Sequence, residues 1–338
     1  MNSLLITIRK LTEFAVDKVM QIDYPDDQCH CWFNKMFHKK NYYFFGVLAA
    51  LATVTIWAAF LIGTRFAVIG NLTVDEVLVL RLVPAFLIML PLMLKLGIII
   101  RGQSIFSLFM IALGATAVFP YLISTGVYYA PASDAGALAP GMLPFWTALF
   151  AFLITGEKPS KVRLIGLVII LLGAFLVGSY SILSSSGQHT WKGHLLFLAG
   201  SGMWSIYSVY FRQSGIDPLT GLVFGLFWGT AVVIPLLVLF GDVSFEKASI
   251  FDIFSMIILQ GLLIAILAML LYNFAIRQLG PAQTAAFGAL TPILALVGGF
   301  VFLGETITLL KSLGIFIVAV GVVLASGIME KALSSVKK

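Results

Sequence analysis

From residue 43 to residue 328, long apolar stretches alternate with short polar connections. A membrane-crossing helix needs about 20 apolar residues. Ten stretches qualify: 43–64, 75–95, 105–128, 133–155, 162–182, 192–212, 219–240, 250–276, 282–303 and 308–328. Unpaired backbone groups are costly in hydrocarbon, so each is expected to be a helix. Short connections predict one compact bundle. Ahead of it, residues 1–41 are polar, with Leu4, Ile8, Leu11, Ala15 and Val19 at helical spacing. Arg9, Lys10, Glu13, Asp17 and Lys18 lie off that stripe, which predicts an interfacial amphipathic helix. No clean apolar core precedes a small-residue cleavage site there, so it does not read as a signal peptide.

Composition sharpens the class. The chain is 60% hydrophobic and only 11% charged, where a soluble domain carries about 25% charged residues. Mean hydropathy is +1.04. Such a chain cannot cover a soluble surface, and the lipid bilayer is its first partner. The net charge of +6 does not imply nucleic acid, because the basic residues sit in short loops and at the termini. Cys29 and Cys31, with His30 and His38, lack the second ligand cluster that a metal site requires. Neither a metal nor a cofactor is expected.

Basic residues also set an orientation. With the N-terminus inside, the cytoplasmic side carries six basic residues before the first span, then Lys95, Arg101, Lys158, Lys161 and Arg163. Arg212, Arg277, Lys331, Lys337 and Lys338 complete that side. The far side carries Arg65, Lys192, Lys247 and Lys311, and Arg81 falls within the second span. This bias places both termini in the cytoplasm.

The chain repeats itself. Pro144, Gly156, Glu157, Arg163, Gly166 and Gly173 recur 148 positions later as Pro292, Gly304, Glu305, Lys311, Gly314 and Gly321. Gly46, Trp57 and Arg65 recur 147 positions later as Gly193, Trp204 and Arg212, and Pro131 matches Pro281 across a two-residue gap. Five spans per repeat is an odd number, so the halves must insert in opposite orientations, as transporter repeats do. The expectation is an all-α polytopic membrane protein of ten transmembrane helices in two inverted five-helix repeats. Residues 42–183 form the first repeat, 190–329 the second, and 330–338 a basic tail.

TGEKPSKVRLIGLVIILLGAFLV and LGETITLLKSLGIFIVAVGVVLA carry paired Gly-Glu junctions. With GPAQTAAFGALTPILALVGGFVFLGE and LRLVPAFLIMLPLML, they resemble the drug/metabolite transporter superfamily, EamA-like branch, over residues 44–328. The resemblance implies ten helices around a cavity lined by spans one, three, four, six, eight and nine. It implies carriage of small polar or amphipathic solutes, often amino acids, and a bacterial inner membrane as location.

Individual residues suggest where such a site lies. Arg81 stands about two turns into the second span, roughly 9 Å by helix rise, and an intramembrane charge usually faces a wet interior. Asp134 beside Pro131 suits either a helix N-cap or a binding role. Glu157 and Glu305 are expected at the two surfaces, pairing with Arg163 and Lys311 or capping the following helix. Trp57 and Trp204, with Tyr121, Trp146, Tyr207, Tyr272 and Asn273, suit an aromatic pocket wall as well as an interface belt. Pro131, Pro140, Pro144, Pro281 and Pro292 mark bends tolerated where neighbours satisfy the freed backbone. No GxxxxGK[ST] loop or HExxH helix occurs. The reading is a secondary transporter rather than an enzyme, with a small-molecule substrate and either a coupling proton or a counter-solute. A lipid-modifying membrane enzyme and a non-transporting scaffold stay open as alternatives.

Overall fold

The computed structural model describes residues 39–184, 189–279 and 281–329. The amphipathic helix expected in residues 1–41 and the basic tail at 330–338 lie outside the described residues, save for the backbone of residues 39–41. The described residues fold into helices joined by short connections, with no strand among them. In the first half these are α1 (Lys39–Ile69), α2 (Val74–Leu96), α3 (Ile105–Tyr129), α4 (Ala132–Thr155) and α5 (Lys161–Ser184). The second half has α6 (Thr190–Ser214), α7 (Pro218–Phe240), α8 (Ile250–Met256, Ile257–Ala268 and Met269–Leu279), α9 (Pro281–Phe287 and Leu290–Leu303) and α10 (Leu309–Ala325).

Among the described residues, eight helices are long and apolar enough to cross a membrane, and α10 is a shorter apolar helix. The sequence expectation of ten is met in part. The difference is α10, which is short, and α6, which matches the others in length but carries Lys192, His194 and several serines that dilute its apolar character.

The two halves share irregularities that periodicity alone does not disclose. α3 is wound as a π-helix over Met110–Val118, and α8 over Ile257–Ala268. These segments start 147 residues apart, the same offset that relates Trp57 to Trp204. π-Helical turns are rare and concentrate at functional sites. α4 breaks at Ala139 into a short 3₁₀ turn at Pro140–Met142, and α9 is interrupted between Phe287 and Leu290. α4 and α9 then end on Gly156 and Gly304, at φ 74° and 66°. Glycine takes this left-handed cap without the Cβ penalty of other residues.

Local chemistry starts and stops the helices. Thr73 and Glu76 form a capping box at the head of α2, satisfying two amides that the helix itself cannot. Glu76 also accepts from the amides of Ser244 and Phe245, so it ties the α7–α8 connection to the same end of the bundle. Ser249 and Asp252 form a second capping box at the start of α8.

The last helices of the halves, α5 and α10, cross at matching glycines. A Cβ on Gly173 would come within 2.7 Å of the Gly314 carbonyl oxygen, and one on Gly321 within 2.8 Å of the Gly166 carbonyl oxygen. Lipid is as apolar as leucine, so close backbone approach of this kind supplies the packing that holds membrane helices together. The buried core extends from this crossing to the α3–α4 corner, where Val127, Ala130, Ala132, Ala135 and Phe197 have no exposed surface.

Gly173→Ala is expected to destabilise the protein by about 1–3 kcal/mol, because backbone must move to admit the methyl. Gly178→Ala on the same helix should be near neutral, since its nearest neighbour would be His194 Nδ1 at 3.8 Å. Thermal unfolding in detergent measures both, and equal midpoints for the two variants would contradict the packing account.

Candidate functional site

A cavity of ≈ 1000 Å³, counting its open mouth, lies between the two halves. Its walls come from α1, α2, α3, α4, α6, α7 and α8. α9 contributes no residue to it among those described, contrary to the expected lining. α9 is instead packed across α1 and the head of α4. A Cβ on Gly298 would clash with Ile62, and one on Gly136 would meet Ala295 at 2.8 Å.

Trp57 and Phe60 of α1, Phe119 of α3, and Trp204 and Tyr207 of α6 form the aromatic wall. The ring of Trp204 sits 4.7 Å from Phe119 and 5.4 Å from Tyr207, centroid to centroid. Tyr272 supports the wall from behind, 5.3 Å from the ring of Trp57. Ala139, Pro140 and Leu143, at the break in α4, line the cavity opposite. The helix break therefore faces the cavity, where the irregular backbone is not exposed to lipid.

Among the described residues, one charged side chain lines this space, Arg81. It is 7% exposed, and its Nη1 donates to Gln260 Oε1 at 3.0 Å. Gln260 is fully buried in the π-helical part of α8, and its Nε2 donates to Thr64 Oγ1 at 2.7 Å. The guanidinium lies 5.5 Å from the Phe60 ring centroid. Sequence reading singled out Arg81 but not Gln260 or Thr64. A glutamine in an apolar helix is a signal of this kind, because a buried amide must find partners.

The cavity does not run evenly through the bundle. Gly221 and Leu222, near the start of α7, and Ile111, near the start of α3, carry its lining toward one end. At that end, Arg212 pairs with Glu157 at 2.6 Å, and both side chains are more than half exposed, at 58% and 56%.

The opposite end is shut by a buried charge network. Arg65 Nε lies 3.2 Å from Glu305 Oε1, with side-chain exposures of 19% and 8%. Arg65 Nη1 donates to the carbonyls of Val127 and Ala130, at the end of α3. Glu305 accepts from the amides of Ala132 and Ser133 at 2.6 and 3.1 Å, and from the Ser133 hydroxyl, at the head of α4. Cation on carbonyl end and carboxylate on amide end are the favourable arrangement at both helix termini. Beneath this pair, Asp134 is fully buried. Lys311 Nζ lies 2.7 Å from its Oδ1, and His194 Nε2 lies 2.9 Å from its Oδ2.

These partners correct the local pairing expected from sequence. Glu305 does not pair with Lys311, and Glu157 does not pair with Arg163. Each glutamate instead meets the arginine of the other repeat, and Lys311 is taken up by Asp134. Nor does Glu305 cap the helix that follows it, since it caps α4. Arg65 falls just past the expected end of the first span at residue 64, whereas α1 runs on to Ile69 and includes it.

Other candidates fall elsewhere. Tyr121 is 42% exposed, and neither it nor Asn273 lines the cavity. Trp146 stacks on Phe150 and edges Phe145, outside the lining. Pro131 stands at the N-terminal boundary of α4, Pro144 sits in its first turn after the break, Pro281 opens α9, and Pro292 lies against Gly136. Of Pro131, Pro140, Pro144 and Pro292, only Pro140 reaches the cavity.

Comparison with known proteins fits this architecture. The model of the EamA-like transporter family matches twice, over residues 44–179 and 191–327. The chain belongs to the EamA-like transporter family. It is a transporter of that type and a multi-pass integral membrane protein. Relatives of this EamA-like chain carry matching names. It is 27% identical over 231 residues to the uncharacterized transporter YyaM of Bacillus subtilis, covering 65% of this chain and 73% of that protein. It is 27% identical over 197 residues to the uncharacterized inner membrane transporter YedA of Escherichia coli K12, covering 57% and 62%. A solved crystal structure superposes with a TM-score of 0.56 at 16% identity, covering 83% of this chain and 97% of the other, a likeness of fold.

The charge network at the shut end sets a stability prediction. Asp134→Asn strands the buried Lys311 ammonium and should cost on the order of 3–5 kcal/mol, as breaking one side of a buried pair does. The double variant Asp134→Asn with Lys311→Met should recover much of that loss. Thermal unfolding in detergent reads both, and a double variant no more stable than the single one would contradict the pairing.

Proposed function

We propose that this EamA-like chain is a secondary transporter that carries a small amphipathic metabolite by alternating access. The observation that carries the reading is the crossed pairing of the repeats. Arg65 and Arg212 are repeat equivalents, and so are Glu157 and Glu305. Each arginine meets the glutamate of the opposite half, so the two pairs stand at opposite ends of the bundle. One is buried and continuous with a helix corner, while the other is exposed beside a cavity mouth. Inverted repeats supply such a pair of interconvertible arrangements, because each half can take the conformation that the other now holds.

In this reading ten spans cross the membrane, α6 and α10 among them, with both termini cytoplasmic. The excess of basic residues supports placing the Arg212–Glu157 end inside. The cavity then faces the cytoplasm, and the Arg65–Glu305 end is the closed outer gate. A bacterial inner membrane is the setting that suits the relative from Escherichia coli. Solute binds among Trp57, Phe60, Phe119, Trp204 and Tyr207. As the inner end closes, Glu157 is drawn toward the head of α9 and Arg212 toward the end of α8, while the outer pair separates.

A cysteine at Thr116, which lines the cavity, tests the gating in a chain with Cys29 and Cys31 replaced by serine. A membrane-impermeant thiol reagent should label it from the Arg212–Glu157 face and not from the other. Glu305→Gln should raise labelling from the opposite face by on the order of tenfold, since each decade of population takes only about 1.4 kcal/mol. Glu157→Gln should not. Labelling that ignores Glu305→Gln would defeat the gate assignment, and absence of saturable flux of any solute in proteoliposomes would defeat the transporter reading.

A further inference from the structure

We propose that the cavity selects organic anions, an aryl or alkyl carboxylate above all, and that Arg81 receives the carboxylate. This rests on the reading of the cavity as the solute site, and it names the class of solute.

The argument starts from charge balance. A guanidinium is protonated at any physiological pH and offers five N–H donors. Arg81 has one protein acceptor among the described residues, Gln260 Oε1, and no carboxylate within ion-pair distance. By contrast, Arg65, Arg212 and Lys311 each have a carboxylate partner. A buried, unneutralised cation costs several kcal/mol in an apolar surround, and such a cost persists where something else repays it. A face of the Phe60 ring, 5.5 Å away, offsets part of the charge but fills none of the free donors.

The lining supplies the second half of the argument. Among the described residues, no aspartate or glutamate contributes to the cavity, whose other members are apolar or aromatic side chains, Thr116 and Gly221. A carboxylate entering finds a bidentate partner of matching fork geometry. An ammonium entering finds a like charge and no anionic partner, and it loses its hydration. A zwitterion gains the first contact and suffers the second. The aromatic wall of Trp57, Phe119 and Trp204 takes the apolar body of the solute.

Position agrees with this role. Arg81 stands seven residues into α2 from the Arg65–Glu305 end, ~10 Å by helix rise, while the lining reaches toward the opposite end at Gly221 and Leu222. The cation therefore sits at the floor of the cavity. Gln260 and Thr64 hold it from behind, joining α1, α2 and α8. A substrate anion would compete for the same side chain that links these helices, so binding and helix arrangement are coupled at one residue.

The test uses the full chain in detergent and three probes that share a phenyl ring: phenylacetate, phenylalanine and phenethylamine. Equilibrium binding should rank phenylacetate first, by about tenfold or more over phenethylamine, with phenylalanine between them; a tenfold ratio is about 1.4 kcal/mol. Arg81→Gln should abolish the preference for the acid and leave the amine unchanged or tighter, and Arg81→Lys should keep part of the preference. Phenethylamine binding as tightly as phenylacetate overturns the proposal, as does failure of all three to bind. If Arg81→Gln does not fold, the ranking on the unaltered protein decides alone. Flux in proteoliposomes separates this claim from the transporter reading. Acid that binds through Arg81 but never crosses would sink the carrier and leave the anion site. Saturable flux of the amine with no preference for acid would do the reverse.

Discussion

Where a helix stops beyond the reach of water, its last carbonyls and the next helix's first amides need partners from elsewhere in the fold. The α3–α4 corner poses this problem at Ala130–Ser133, and Arg65 and Glu305 answer it together. Arginine takes the carbonyl end, glutamate takes the amide end, and the two neutralise each other across the gap. The pair draws α1 and the end of α9 onto one corner. The Asp134–Lys311–His194 cluster then adds α6 and α10. In the proposed cycle, that convergence is what closes this end.

The same residues exist in the opposite half, yet there they do a smaller task. Arg212 and Glu157 touch each other and remain in solvent, where an ion pair contributes little. One sequence device thus appears in two states within a single molecule. A strong buried pair at one end and a weak exposed pair at the other are what a carrier needs if neither state is to dominate. Asp134 breaks the symmetry, because the second repeat has no acid at the corresponding place near Gln283.

Much of this was legible in the sequence, and the reasons are physical. Helix-breaking residues in register, Pro144 with Pro292 and Gly156 with Gly304, exposed the repeat because lipid tolerates breakers only where neighbours satisfy the freed backbone. Arg81 and Trp57 stood out because charge and indole are conspicuous among leucines. The charge partners did not emerge, because a local reading pairs Glu305 with the nearest cation, Lys311. In a bundle, pairing is set by which helix ends meet across the fold, and Arg65 lies in the other half of the chain. α6 reads as a span in the sequence although serines and His194 lower its apolarity, and these polar groups are turned to buried partners. Ser201 donates to the Ala139 carbonyl, and Thr147 donates to Ser205.

The central claim is that the two crossed pairs exchange roles. Pulsed electron–electron distance measurement tests it most directly, with spin labels at Ile69 and Ile307 on the closed end and at Lys158 and Gln213 on the other. The account predicts two distances for each label pair, with the closed-end distance lengthening in the population where the other shortens, and a ligand shifting both together. A single unchanging distance at each end, with and without bound solute, would contradict it.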